Sequence, residues 1–201
     1  MLTCDRRLST RIVVRAIASC AAALAFAGAA AAQSPSERDQ MREVFLKRVD
    51  QYVALHRDLE RLLPPETITS NLDELLAPRV TLARELRRAR AWAREGNIFT
   101  PGVAVYMRVL ITETIRREGI TELRDVIDPE LAVHMTALVN ADYPAGRSTP
   151  AIPCALLDAL PPLPPELRYS FVERDLILWD LHAALIVDVV RNALPVSFEN
   201  K

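Results

Sequence analysis

The chain has 201 residues, 25 basic and 26 acidic side chains, three histidines, three cysteines and five glycines against 14 prolines. Half of it is hydrophobic, enough for a domain with a core, and the balanced charge argues against a nucleic-acid-binding arm. With the glycines scattered there is no Gly-rich phosphate loop; Gly-x-Ser-x-Gly, Cys-x-x-Cys and His-Glu-x-x-His are also absent, which removes the common nucleotide-binding, hydrolase, redox and zinc-protease signatures.

The first fifteen residues carry Arg6, Arg7, Arg11 and Arg15 against one acid, Asp5. An apolar run from Ala16 to Phe26 follows and ends in small residues, Ala27 to Ala32. Basic start, short apolar run and small-residue exit describe a signal peptide with cleavage after Ala32, because the run is shorter than the roughly 20 residues of a membrane-spanning helix. Two other export readings stay open. Ile17-Ala18-Ser19-Cys20 has the form of a lipoprotein cleavage box, and Arg6-Arg7 that of a twin-arginine signal. Removing residues 1–32 takes four Arg and one Asp, leaving 21 basic against 25 acidic side chains, a net charge of −4 on a single domain of 169 residues, 33 to 201. Cys4 and Cys20 leave with that segment. Cys154 is then alone, with no internal disulfide partner, and its apolar neighbours Ala155-Leu156-Leu157 suggest a buried, inert thiol.

Ser34-Pro35-Ser36-Glu37 opens a helical pattern in which Met41, Phe45, Val49, Tyr52, His56, Leu59 and Leu63 recur at steps of three or four, until Pro64-Pro65 ends it. His56 lies on that apolar stripe, which fits a hydrogen-bonded core histidine better than a ligand. Pro78 suits the first turn of a second helix running to Glu95, stopped by Gly96-Asn97. Its seam is Leu82, Leu86, Ala89 and Ala93. Around the seam stand Arg79, Arg84, Arg87, Arg88, Arg90 and Arg94 against Glu85, a local charge of +5. The plain reading is a solvated face paired with Glu43, Asp50, Asp58 and Glu60 of the first helix; the sharper one is a partner-binding surface, made by Arg84, Arg87, Arg88, Arg90 and Arg94, for an envelope protein or an anionic envelope surface. Nucleic acid does not fit, since Trp92 is the helix's only stacking side chain.

Thr100-Pro101 caps a third helix that ends near Gly119 and is apolar on most sides, hence central. Thr121 and Asp128-Pro129 open two shorter helical segments, the second ending at Val139 with His134 on its buried side. Residues 140–153 read as an irregular loop, 155–160 as a helical turn, and Pro161-Pro162-Leu163-Pro164-Pro165 as an extended spacer. Beyond it, Leu167, Tyr169 and Phe171 alternate with polar residues, Leu176 to Trp179 is apolar on both faces, and Leu185 to Val190 is β-branched. Their short connections predict a three-stranded antiparallel meander with the second strand central. The fold class expected is α+β, mainly α: a helical bundle packed on one face of a small C-terminal sheet.

The one polar cluster with metal-ligating side chains is Asp175, Asp180, His182 and Asp188 in and around this meander. Asp180, His182 and Asp188 are the candidate ligands for a divalent transition metal, with turn closure by backbone hydrogen bonds as the plainer role. Alternation along its strand places Asp188 on the face of Ile186 and Val190. No catalytic set and no cofactor motif appear, so the chemistry leans away from an enzyme.

The segment from Leu167 to Val190, LRYSFVERDLILWDLHAALIVDVV, resembles the end of a group of exported, uncharacterised bacterial proteins with a helical body and a terminal meander. It is also similar to the C-terminal hairpin of periplasmic nickel/cobalt-homeostasis proteins, from which it departs in having Ala183-Ala184 where a glycine turn belongs. The resemblance implies a fold and the periplasm, and brings no functional residue. The functions expected are therefore an exported, non-enzymatic binding or scaffold protein without a membrane helix in its mature chain, or a periplasmic metal-responsive or metal-buffering protein.

Overall fold

A computed structural model describes residues 35–64, 70–120, 137–143 and 152–195. The expected signal peptide, the short helical segments opened by Thr121 and Asp128, His134 and most of the 140–153 loop lie outside the described residues.

Helix α1, Pro35–Glu60, buries Phe45, Val49, Tyr52 and His56 along the stripe visible in its sequence. Helix α2, Leu72–Ala89, begins six residues before Pro78: Asn71 accepts a hydrogen bond from the Asp73 amide, and Asp73 and Glu74 complement the helix N-terminus. Pro78 is thus inside the helix. Helix α3, Pro101–Glu118, is capped by Thr100 through the Val103 amide and ends on Gly119 at φ 63°. A fourth, short helix, α4, Cys154–Ala159, buries Leu156 and leaves Cys154 exposed, because the core side of so short a turn is taken by Ile152, Leu156 and Leu160. The buried thiol expected from its neighbours is therefore corrected. Among the described residues no helix is long and apolar enough to cross a membrane.

Strands β1, Leu167–Val172, β2, Asp175–Asp180, and β3, Leu185–Val190, form the antiparallel meander with β2 in the middle. One face, with Leu167, Phe171, Leu176, Leu178, Leu185, Val187 and Val190, joins the helices in the main core. The other face is not bare. Val172, Ile177, Trp179, Ile186 and Val189 pack with Ala137 and Tyr143, and the Tyr143 ring stacks on Trp179 at 4.1 Å. The segment 140–143 reaches this position by pairing its backbone with β3: the Asn140 amide donates to Ile186 O and the Ile186 amide to Ala141 O. A chain read as irregular loop thereby covers the sheet's outer edge and part of its second face.

The two hairpin turns have no glycine. Glu173 (φ 51°) and Ala184 (φ 48°) take the left-handed conformation instead.

Between Leu178 and Trp179 the β2–β3 register slips: Leu178 pairs with Asp188 but Trp179 with Ile186, so Val187 is an inserted residue. The bulge breaks simple alternation. Asp188 shares the helix face with Val190, as expected, while Ile186 turns to the opposite face. There the fully buried Asp188 carboxylate accepts hydrogen bonds from the amides of Gly96 (3.0 Å), Ile98 (2.7 Å), Phe99 (2.8 Å) and Val189 (2.8 Å). Three of these amides belong to the α2–α3 connection, and their convergence on one carboxylate is incompatible with continued helix. Helix α2 itself stops at Ala89, short of the expected Glu95: Arg90 leaves helical geometry (φ −112°, ψ 28°) and its carbonyl accepts from Asn140 Nδ2 at 3.0 Å.

Asp188→Ala leaves these four amides without their acceptor, two of them on the fully buried Ile98 and Phe99. Urea unfolding should show a loss of about 3–5 kcal/mol, and Asp188→Asn a smaller one, since one carboxamide oxygen still accepts.

Candidate metal centre

Tyr52, His56 and Glu60 stand on successive turns of α1, on the side that faces the β2–β3 turn. Asp180, the last residue of β2, is fully buried beneath them. Its Oδ2 accepts from Tyr52 Oη at 2.6 Å and from His56 Nδ1 at 2.6 Å, and its Oδ1 accepts from the Ala183 amide at 2.8 Å. Burial pushes the Asp180 carboxyl up, but the hydrogen bonds from His56, Ala183 and Tyr52 and the charge of His56 outweigh it and hold the group below its ordinary value of 3.8. It is a carboxylate, able only to accept. His56 Nδ1 must therefore carry the proton, and the lone pair of the neutral ring sits on Nε2.

That nitrogen is one of four buried side-chain atoms without a hydrogen-bond partner among the described residues, with Arg38 Nε, Glu166 Oε2 and Trp179 Nε1. His56 is fully buried and its Nε2 has no hydrogen-bond partner; Glu60 Oε2 lies at 3.4 Å, an ion-pair distance without hydrogen-bond geometry. On the other side of the same carboxylate, Glu60 Oε1 is 2.7 Å from His182 Nδ1, and the two imidazole rings are 5.3 Å apart, centroid to centroid. One ligand atom from each of His56, Glu60 and His182 falls within 4.8 Å of the others, and this is the only such set of three metal-ligating side chains among the described residues. Two imidazoles and a carboxylate suit zinc, nickel, cobalt(II) or copper(II). The imidazole–carboxylate pair of His56 and Asp180, backed by Tyr52, matches the arrangement that fixes a metal-bound histidine from behind.

Of the residues singled out in the sequence, His182 is in this cluster, half exposed. Asp180 touches it through His56, and closes the β2–β3 turn as well. Asp188 is committed to the α2–α3 amides, and Asp175 to Arg191 Nη1 (2.7 Å) and the Asn192 amide (2.8 Å). His56, read as a core residue with a hydrogen bond, has that bond and in addition a free second nitrogen. Glu60 enters the sequence reading only as an acid that could pair with the arginine face, not as a ligand. The available signal was the spacing His56-x-x-x-Glu60 within a helix, which stacks the two side chains on one face.

The arginine face is divided between interior and surface. Arg90 packs its guanidinium carbon 5.0 Å over the Tyr52 ring and donates to Val187 O (2.8 Å) and Asn140 Oδ1 (3.2 Å). Arg87 donates to Asn140 O (2.9 Å) and pairs with Asp142. Arg84 and Arg88 pair with Glu85 on their own helix, and Arg94 is exposed. None of these partners is an acid of α1, contrary to the plain expectation, because the end of α2 packs its arginines toward the bulge and the 140–143 segment.

Two outcomes follow from this geometry. Arg90→Ala should cost about 2–3 kcal/mol in urea unfolding, from two lost hydrogen bonds and the stacking on Tyr52, whereas Arg94→Ala should leave the midpoint unchanged. In the metal-free protein, burial disfavours charge on His56, but the hydrogen bond and charge of Asp180 with the charges of Glu60 and Glu166 raise its pKa above 6.5. The folded state then holds this proton more tightly than the unfolded chain. Its contribution to stability is complete below 6.5 and is lost as the pH rises through the raised value, so unfolding free energy should fall as the pH rises above 6.5 and His56→Gln should flatten that slope.

Comparison of the chain with protein-family models, with curated proteins and with solved structures returned no match.

Proposed function

We propose that this chain is an exported cell-envelope protein that binds a divalent transition-metal ion through His56, Glu60 and His182, as a metal-responsive or metal-buffering component. The observation that carries the reading is the buried His56 Nε2, fixed by Asp180 in the tautomer that offers a lone pair and left without a hydrogen-bond partner beside Glu60 and His182. A buried nitrogen without a partner costs about 1–3 kcal/mol, which an ion bound there would recover. An ion at this place satisfies Nε2, separates Glu60 from competing roles and bridges α1 to the β2–β3 turn. It would thus couple metal occupancy to the stability of the helix–sheet junction.

Export is supported by the basic start, the apolar run and the small-residue exit of residues 1–32. The alternative of a scaffold acting through the arginine face has less to stand on. Arg87 and Arg90 are engaged inside the fold, and Arg84 and Arg88 share Glu85.

Zinc, nickel, cobalt or copper(II) at about a hundred times its dissociation constant should stabilise the folded protein by about 2.7 kcal/mol, a rise of about 5–10 °C in melting temperature for a domain of this size. His182→Ala and Glu60→Gln, both partly exposed and safe for folding, should abolish most of the shift. A shift that survives both substitutions places the ion elsewhere and overturns the reading.

A further inference from the structure

The three side chains of the proposed centre would leave a four-coordinate ion one position short, and two of them, Glu60 and His182, border open space. Glu60 and His182 form one wall of a cleft of 730 Å³ between the end of α1, the first turns of α2 and the β2–β3 turn, whereas His56 is fully buried behind them. Such an open fourth position is the mark of a metal site that takes an external ligand. The remaining walls are of two kinds. Leu63, Leu75, Leu76, Leu82 and Leu181 are apolar, and Leu75 is exposed at 61%. Arg61 and Arg79 are the cations. Arg61 is engaged by Asp58, but half-buried Arg79 has no ion-pair or hydrogen-bond partner among the described residues.

With a divalent ion in place, the charge of Glu60 is more than neutralised, and the cleft then carries the excess charge of the ion together with that of Arg79. A small neutral ligand would leave both uncompensated, and a large polar one would strip water from the leucines without replacing it. The complementary occupant has one anionic group and an apolar body.

We propose that this cleft binds a small organic carboxylate, whose carboxyl group fills the open coordination position and pairs with Arg79 while its hydrocarbon part lies against Leu75, Leu76 and Leu82. The inference rests on the metal reading above and adds the class of its ligand. It also gives Leu75, exposed near the start of α2, a role that packing among the described residues does not.

The test uses the full mature chain loaded with cobalt(II), whose visible absorption band reports the ligands of the ion, with acetate, hexanoate and hexanol as probes. Hexanoate should alter the band at a concentration about tenfold or more below that needed for acetate, and hexanol should not alter it. Arg79→Gln should weaken both carboxylates by about fivefold or more without changing the band of the ligand-free cobalt protein. Leu76→Ser should narrow the gap between hexanoate and acetate. A cobalt band indifferent to carboxylates, equal response to acetate and hexanoate, or an Arg79→Gln protein that binds them as the wild type does, overturns this inference and leaves the metal centre standing. A missing band, or one that persists in His182→Ala, overturns the metal centre and this inference together.

Discussion

The buried carboxylate of Asp180 is the point from which the helix–sheet junction is organised. It ends β2, closes the following turn through the Ala183 amide, and takes hydrogen bonds from Tyr52 and His56 on α1. A charge in so dry a place is tolerable only because three donors surround it. The converse holds for its partners. A Tyr52 hydroxyl, whose pKa is raised by burial and by the Asp180 charge, and a histidine ring are kept inside the core because the carboxylate gives each of them an acceptor. Once His56 is pinned through Nδ1, its other nitrogen has a fixed direction, and the site's chemistry follows from that orientation.

A second buried carboxylate, Asp188, does for the α2–α3 connection what Asp180 does for α1. The two differ in their donors. Asp180 faces side chains that can themselves titrate or bind, and is held below the ordinary carboxylate range. Asp188 takes its hydrogen bonds from backbone amides only, and burial outweighs them to raise its pKa. One therefore belongs to a site with a free lone pair next to it, the other to a closed structural staple. Equal burial and equal residue type thus lead to different roles, decided by what the neighbours can exchange.

The arginines illustrate the same division. Arg90 gives up solvent to stack on Tyr52 and to bond Val187 O beside the bulge, so that it braces the ring that in turn braces Asp180. Arg57, on the next turn of α1, pairs with the buried Glu166 at 2.6 Å where the chain enters β1. Charged side chains thus hold together the layers that leucine and valine make adjacent. Apolar contact sets which elements meet, and the ionic and hydrogen-bonded contacts set how they are aligned.

The residue pattern alone determined much of this architecture: the stripe of α1, the Thr100-Pro101 cap and Gly119 end of α3, and a meander with an apolar middle strand, because these depend on periodicity and on backbone preferences local to a few residues. It also named His182 and Asp180 as polar groups that needed a reason. Only the tertiary structure decided that Val187 is inserted, which moved Ile186 to the far face, and that residues 140–143 pair with β3. Only it brought His56 and Glu60 of α1 to His182, more than a hundred residues on in sequence. A histidine on an apolar stripe looks the same whether its second nitrogen is satisfied or free. That difference resides in atoms supplied by distant segments, and no spacing within one helix records it.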